Sequence, residues 1–359
     1  MSIAARSPCR YGLHRVLDPC GVMPQAAWRL DATPRALENE ILCDVEALNI
    51  DSASFRQIAE ACDFDEARIA AQIVATVGER GKQHNPVTGS GGMFIGRVAE
   101  IGSAIAHSVD LRAGDRIASL VSLTLTPLSI AAVRRVDCAT GRIWIEGKAI
   151  LFASGLFAKL PDDLDEGVAL AVFDVAGAPA QTSRLAQPGA TVAIFGVDGK
   201  SGMLCCAQAR GRVGPAGRIV GFAPDATTAA ARLLVDGGYV DAFVEVDARD
   251  AAAVLGALPG VLPAGADLVI NCVNVPGTEL AAILAAKDHG TVYFFSMCTS
   301  FTAAALGAEG IGRDCTMIIG DGYLRGHAAT ALETLRAHPS IRAHFESRYG
   351  SAATTTLTT

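Results

Sequence analysis

The sequence contains 10 cysteines but no Cys-x-x-Cys pair, and no histidine-rich tract to complete a metal site beside them. A structural zinc site needs four closely spaced Cys or His ligands, so a zinc finger or ribbon is excluded. Thiols scattered from Cys9 to Cys315 without a pairing pattern read as the reduced cysteines of a cytoplasmic protein. Positive charge is not in excess either: 30 Lys and Arg stand against 37 Asp and Glu, a net charge of −7. That balance excludes the phosphate-neutralising surface on which nucleic-acid affinity rests. No apolar run approaches the roughly 18 residues of a membrane span, and MSIAARSPCRYGLHRV lacks the apolar core of a signal peptide, so no membrane partner is expected. There is no internal repeat.

Length and apolar content are what the chain does have. Its 359 residues, 50% hydrophobic, are too many for one ordinary compact domain and predict two. From Glu40 to Asp115, the strand-like runs EILCDVEALNI and IGRVAEIG are broken by one predicted helix around Asp63 to Arg80. LRAGDRIASLVSLTLTPLSI and RIWIEGKAILFASGLFAKLPDD continue this mainly β region to near Pro161. The pattern then changes to βα units: strands TVAIFG, GRIVGF, AFVEV, ADLVINCV and GTVYFFSM alternate with helices GMLCCAQARGR, ATTAAARLLVDGG and GTELAAILAAKDHG. Repeated βα units on short loops imply a parallel sheet with helices on both faces. RGHAATALETLRAHPSIRAHF is predicted helical, and residues 351–359, SAATTTLTT, have no apolar face to bury and are expected to be disordered.

Two glycine-rich stretches compete for a phosphate role. In TVAIFGVDGKSGML, Gly196, Gly199 and Gly202 fall between an apolar strand and a helix, the context that makes a glycine triplet a dinucleotide signal. The helix start supplies unpaired N–H groups and a positive dipole end, Ser201 offers a hydroxyl, and Lys200 is placed to offset Asp198, whose orientation is left open. A Walker phosphate loop is excluded, because it would need glycine where Ile194 stands. Strand RIVGFAPD ends at Phe222-Ala223, where an acidic residue usually binds the adenine ribose, with Asp225 slightly beyond. No arginine follows Ala223 to hold a 2′-phosphate; NAD is favoured and NADP stays open. The other stretch, GKQHNPVTGSGGMFIG, Gly81 to Gly96, then reads as a pocket wall, with its glycines letting backbone N–H groups approach a substrate.

IGRVAEIG, LRAGDRIA, GVDGKSG, ADLVINCVNVPGTE and GTVYFFSM together resemble the medium-chain dehydrogenase superfamily. More narrowly, YGLHRV, EALNIDSASF, NPVTGSGGMFIG, ASLVSLTLTPL, GKAILFASG, DVAGAPAQ and GKSGMLC are similar to the L-erythro-3,5-diaminohexanoate dehydrogenase family, over Tyr11 to Arg336. The resemblance implies an α/β protein: a GroES-like β domain over residues 1–172, completed by 321–350, and a Rossmann domain over 173–320. It implies NAD-dependent oxidative deamination of a diamino acid, cofactor contacts at Asn271 and Asn274, and a homodimer formed through Rossmann edge strands. Alternatives on the same domains are a zinc-independent quinone or enoyl reductase, or a dinucleotide-binding protein without turnover. Gly91-Gly92-Met93 stands where zinc-dependent relatives carry Gly-His-Glu, and Asp51 and Ser52 stand in the region of their cysteine, so no metal is expected.

Such a reaction needs a neutral amine and a base to take its proton, while a diamino acid asks for carboxylates near its amines and a cation near its carboxylate. Asp51, with Ser52 beside it, is the first candidate for holding or deprotonating an amine; a turn-forming aspartate is its ordinary reading. Lys82 and His84 are candidates for carrying a proton or anchoring the carboxylate, against a plain solvated loop. Asp174 interrupts VALAVFDVAGAP and is either a substrate-amine partner or a structural acid.

Overall fold

A computed structural model describes residues 8–86, 89–138, 140–320 and 322–350, with the side chains of residues 52 and 53 outside the described set. The predicted disordered tail, 351–359, also lies outside it. The chain divides into two compact units that meet in sequence at Leu160 and Pro161.

The first unit begins with a two-stranded ribbon, β1 (Val16–Asp18) and β2 (Arg29–Leu30), followed by the long strand β3 (Glu40–Asn49). Two helices, α1 (Ser52–Ala61) and α2 (Glu66–Arg80), precede β4 (Met93–Ile101), β5 (Arg116–Ser119), β6 (Leu128–Asp137), β7 (Arg142–Phe152) and β8 (Phe157–Lys159). The sheet order is β6-β7-β3-β4-β5-β8, every pair antiparallel. Ile41, Cys43, Val45, Phe94, Ile117 and Ile143 from these strands pack with Ile69, Ile73 and Val77, which recur every four residues and so form one face of α2. The helix expected over Asp63 to Arg80 is α2, and α1 before it is a helix the sequence reading did not expect. In α1, Phe55, Ile58, Ala59 and Cys62 form the buried stripe, and the Asp51 carboxylate accepts from Ser54 N at its start.

A charged knot ties the N-terminal segment to β3. Arg15 and Glu40 are fully buried and doubly hydrogen-bonded, at 2.9 and 2.6 Å. His14 Nε2 lies 2.7 Å from the same carboxylate, Leu37 N donates to it at 2.8 Å, and the rest of the guanidinium reaches the carbonyls of Asp31, Thr33 and Arg35. Burial alone would raise the Glu40 pKa, but His14, Arg15 and the Leu37 amide outweigh it and lower it from 4.5 to about 2.

The second unit opens with α3 (Glu166–Phe173) and α4 (Gly177–Leu185) and continues as β9 (Thr191–Phe195), α5 (Lys200–Val213), β10 (Arg218–Ala223), α6 (Ala229–Asp236), β11 (Ala242–Glu245) and α7 (Ala251–Val261). Then follow β12 (Ala266–Asn271), α8 (Glu279–Ala285), β13 (Ala286–Phe294), α9 (Phe301–Ile311), β14 (Thr316–Ile319), α10 (His327–Ala337) and α11 (Pro339–Tyr349). All six strands are parallel, in the order β11-β10-β9-β12-β13-β14. This is the doubly wound Rossmann arrangement, with the strand order reversing between β9 and β12. The fold is therefore α/β, an antiparallel GroES-like unit followed by a Rossmann unit. Helices α10 and α11 pack on α3, and α10 also on α4 and α5. The division of the chain thus falls at 160/161 rather than 172/173, and residues 322–350 belong with the second unit. The helix expected through GTELAAILAAKDHG stops at Ala285, because Ala286 already pairs with Ala266 in the sheet and His289 adopts a φ of 62°.

Candidate active site and dinucleotide loop

In the Rossmann unit, β9 ends at Phe195 and Gly196 turns the chain with a φ of 69°, a left-handed conformation suited to glycine. Gly199 N donates to Gly196 O at 3.2 Å, closing the turn, and Gly199 caps α5. A Cβ on Gly202 would lie 2.2 Å from Gly196 O, so only glycine lets this helix seat against its loop. The loop therefore has the tight turn and close packing of a phosphate-binding βα junction, with the first amides of α5 left to donate. Ser201 is buried in the first turn.

The remaining cofactor candidates divide. Ala223 ends β10 and is buried, offering no carboxylate there. Asn271 is also buried and closes its own loop: its Nδ2 donates to Thr278 Oγ1 at 2.8 Å and its Oδ1 accepts from Val273 N at 3.1 Å. It shapes the loop after β12 and has little side-chain capacity left for a ligand. Asn274 is exposed on that loop, where its carbonyl accepts from Cys298 Sγ. Lys200 is paired with Asp174 at 2.5 Å. Asp174 thus has a cationic partner inside the Rossmann unit through Oδ2, which accords with the structural reading of that acid.

In the first unit, the candidates lie on or next to the 81–96 stretch, whose Gly91 and Gly92 pack against their neighbours. Asp51 uses Oδ1 to cap α1, accepting from Ser54 N at 2.9 Å, while its Oδ2 is buried without a hydrogen-bond partner. Ser52 opens α1, but its side chain is outside the described set. Asn85 Nδ2 donates to Ser54 O at 3.2 Å and to Gln57 Oε1 at 2.8 Å, tying the segment that carries His84 to the same helix turn. Gly91 packs against the Gln83 carbonyl, and Gly92 (φ 79°) against Asn49 O and Asp51 N. At these two positions a Cβ would strike the protein's own backbone, so glycine is required there for packing. Gly81, with a φ of 64°, ends α2.

Lys82 is sealed inside the unit, 0% exposed, with its ammonium donating to Pro24 O at 2.9 Å. Burial, with Arg80 nearby, lowers its pKa from 10.5 to about 8. It is not presented to a ligand, as a carboxylate anchor would have to be. His84 is partly buried, and its Nδ1 has no partner. Burial, Arg80 and Lys82 each lower its pKa, so its imidazole is neutral at neutral pH. Gln83, unremarked in the sequence, is buried with Oε1 unpartnered, its only sequence signal being its place between Lys82 and His84. Asp51 Oδ2, Gln83 Oε1 and His84 Nδ1 are thus buried without a hydrogen-bond partner, and buried polar atoms left unpaired are rare enough to point to a ligand or water. Among the described residues, no group of three His, Cys, Asp or Glu side chains could hold a metal ion.

The chain is 51% identical over 342 residues to L-erythro-3,5-diaminohexanoate dehydrogenase of Acetoanaerobium sticklandii, covering 95% of this chain and 99% of that one. The chain belongs to the L-erythro-3,5-diaminohexanoate dehydrogenase family. The family's N-terminal domain model matches residues 14–161, nearly the extent of the antiparallel unit. The L-erythro-3,5-diaminohexanoate dehydrogenase of Fusobacterium nucleatum is 49% identical, with 95% and 99% of the two chains covered. Among solved structures, a mycobacterial protein, Rv1454c, complexed with NADPH superposes with a TM-score of 0.50 at 17% identity, covering 88% of this chain and 82% of that one. AibC gives 0.50 at 16%, over 84% and 81%. At such identities the likeness concerns the fold alone.

Proposed function

We propose that this protein catalyses the NAD-dependent oxidative deamination of L-erythro-3,5-diaminohexanoate to 5-amino-3-oxohexanoate, a step of lysine fermentation in the cytoplasm. The observation that carries this reading is the 51% identity, along nearly all of both chains, to an enzyme of that name. In the balanced reaction the substrate ammonium group, NAD and water give the ketone, ammonium, NADH and one proton. The dinucleotide, when bound, accepts the hydride; the backbone amides at Lys200, Ser201 and Gly202 would hold its phosphates.

The chain's own residues have two tasks. Asp51 Oδ2 is suited to accept hydrogen bonds from a substrate ammonium group, since an ionised carboxylate is acceptor-only and this oxygen has no partner within the protein. His84, kept neutral by burial and by its cationic neighbours, is suited to take the proton that the reacting amine must lose. Lys82 acts on His84 through its charge. The unpartnered polar atoms of Asp51, Gln83 and His84 also favour an amine substrate over an enone or quinone, whose site would be mostly apolar.

A homodimer through the Rossmann edge is part of this proposal, supported by the edge position of β14 and by exposed Ile319, Phe301 and Leu306. Light scattering of the purified protein tests it, a single monomeric mass counting against it. The activity test is a spectrophotometric screen of 3,5-diaminohexanoate with NAD and NADP. Reduced cofactor should form with the diamino acid, and Asp51→Asn should lose most of that turnover. Consumption of an enone with no reaction of the amine would overturn the assignment.

A further inference from the structure

In a Rossmann unit the adenine ribose is ordinarily held by an acid at the end of the second strand. Here that strand, β10, ends in buried Ala223. The two acids nearest by sequence or by strand pairing each commit one oxygen to the turn that follows β10. Asp225 accepts from Thr227 N at 2.7 Å and from Thr227 Oγ1 at 2.6 Å, and Glu245 accepts from Ala226 N at 2.9 Å.

A cavity of about 210 Å³ opens beside the glycine loop, bounded by Asp198, Gly199 and Lys200, by Thr228 at the start of α6, and by Arg348 and Tyr349 at the end of α11. Two helix N-termini, of α5 and α6, meet there. Lys200 is neutralised by Asp174, and Thr228 spends its hydroxyl oxygen accepting from Ala231 N. Asp198 is not paired with another side chain among the described residues: it is partly buried, its carboxylate takes a hydrogen bond only from its own backbone amide, and it is close enough to Asp225 and Arg348 to feel both charges. A carboxylate with vacant lone pairs, in a phosphate-binding loop that ordinarily excludes negative charge, asks for neutral hydroxyl donors.

We propose that Asp198, from within the glycine loop, replaces the missing strand-end acid: its carboxylate accepts hydrogen bonds from the adenine-ribose hydroxyls and rejects a 2′-phosphate, which makes it the cofactor-specificity residue of this chain. The inference rests on the NAD reading above and deepens it. An NAD ribose supplies two neutral donors, whereas the 2′-phosphate of NADP brings like charge against the carboxylate. Arg348 across the cavity compensates Asp198 rather than serving a second phosphate.

The test is equilibrium binding of NADH and NADPH, read by cofactor fluorescence, to the wild type, Asp198→Asn and Asp198→Ser, with thermal melting to show that each protein is folded. The wild type should bind NADH at least tenfold more tightly than NADPH. In both variants NADH should weaken by about tenfold, in line with loss of hydrogen bonds to a charged group, while NADPH holds or tightens. A wild type that binds the two equally, or prefers NADPH, overturns the NAD reading itself. A wild type that prefers NADH, with folded variants that keep the full preference, overturns the assignment to Asp198 and leaves the NAD reading standing.

Discussion

The buried knot at Glu40 makes a quantitative claim about acid stability. Its pKa is about 2 in the folded chain against an ordinary 4.5. The folded carboxyl therefore holds its proton about 300-fold less tightly, equivalent to about 3 kcal/mol of stability at neutral pH. The sign follows from a depressed acid: the contribution is complete above 4.5 and is lost as pH falls from there toward about 2. Because the Glu40 and Arg15 side chains are 0% and 1% exposed, solvent screening does little to reduce this figure. In Glu40→Gln, an amide NH₂ would confront a guanidinium already committed to carbonyls on its other edge, so the first unit should lose about 3–5 kcal/mol at pH 7. Urea unfolding followed by tryptophan fluorescence isolates the effect, since both tryptophans of the chain, Trp28 and Trp144, lie in that unit. The gap between wild type and variant should narrow steadily below pH 4.5. A gap of the same size at pH 3 and pH 7 would refute the argument, because it would show that packing, not the charge, carries the contribution.

Three further outcomes are expected. Lys82→Met should stabilise the first unit at pH 7 by about 1–3 kcal/mol, since a lysine lowered from 10.5 to about 8 opposes folding at every pH below 8, and that penalty fades as pH rises through 8 to 10.5; a destabilised variant in a urea series at pH 7 would contradict it. The acid limb of kcat/KM assigned to His84 should lie below 6.5 and move upward in Lys82→Met, which removes one of the charges lowering it, whereas His84→Phe should lose about 10²–10⁴ in kcat; an unmoved limb would remove the electrostatic link. Gly202→Ala drives a Cβ to 2.2 Å from Gly196 O and should cost the Rossmann unit about 1–3 kcal/mol together with most of its NADH binding, measured by melting and by titration; intact binding would place the phosphates elsewhere.

Much of the Rossmann unit was legible because each strand carries a short apolar run and each loop its own turn chemistry. Gly196, Gly199 and Gly202 announced the turn, and their geometry agrees with it. Helix α1 was not recognised, although Asp51 followed by Phe55, Ile58, Ala59 and Cys62 is a cap ahead of a helical stripe; the preceding β-rich run EALNI dominated the reading of that window. Long-range partners were beyond reach. Nothing local in VALAVFDVAGAP shows that Asp174 will meet Lys200, 26 residues on, and nothing in GKQHN shows that Lys82 will point to a carbonyl 58 residues earlier.

The same distinction bears on what sets the chemistry at the site. A sequence exposes residue types, and at 82–84 it offers two basic groups with equal claim to move a proton. Folding breaks that symmetry by burial: the ammonium of Lys82 is enclosed against Pro24 O, while His84 Nδ1 is left without a partner. The enclosed charge still acts, because a cation held near an imidazole in a low-dielectric interior disfavours the imidazolium more strongly than it would in water. Lys82 is thereby one of the causes that hold the His84 imidazole neutral, after burial and Arg80, and under the proposed mechanism the pair divides into one residue that sets the potential and one that would exchange the proton.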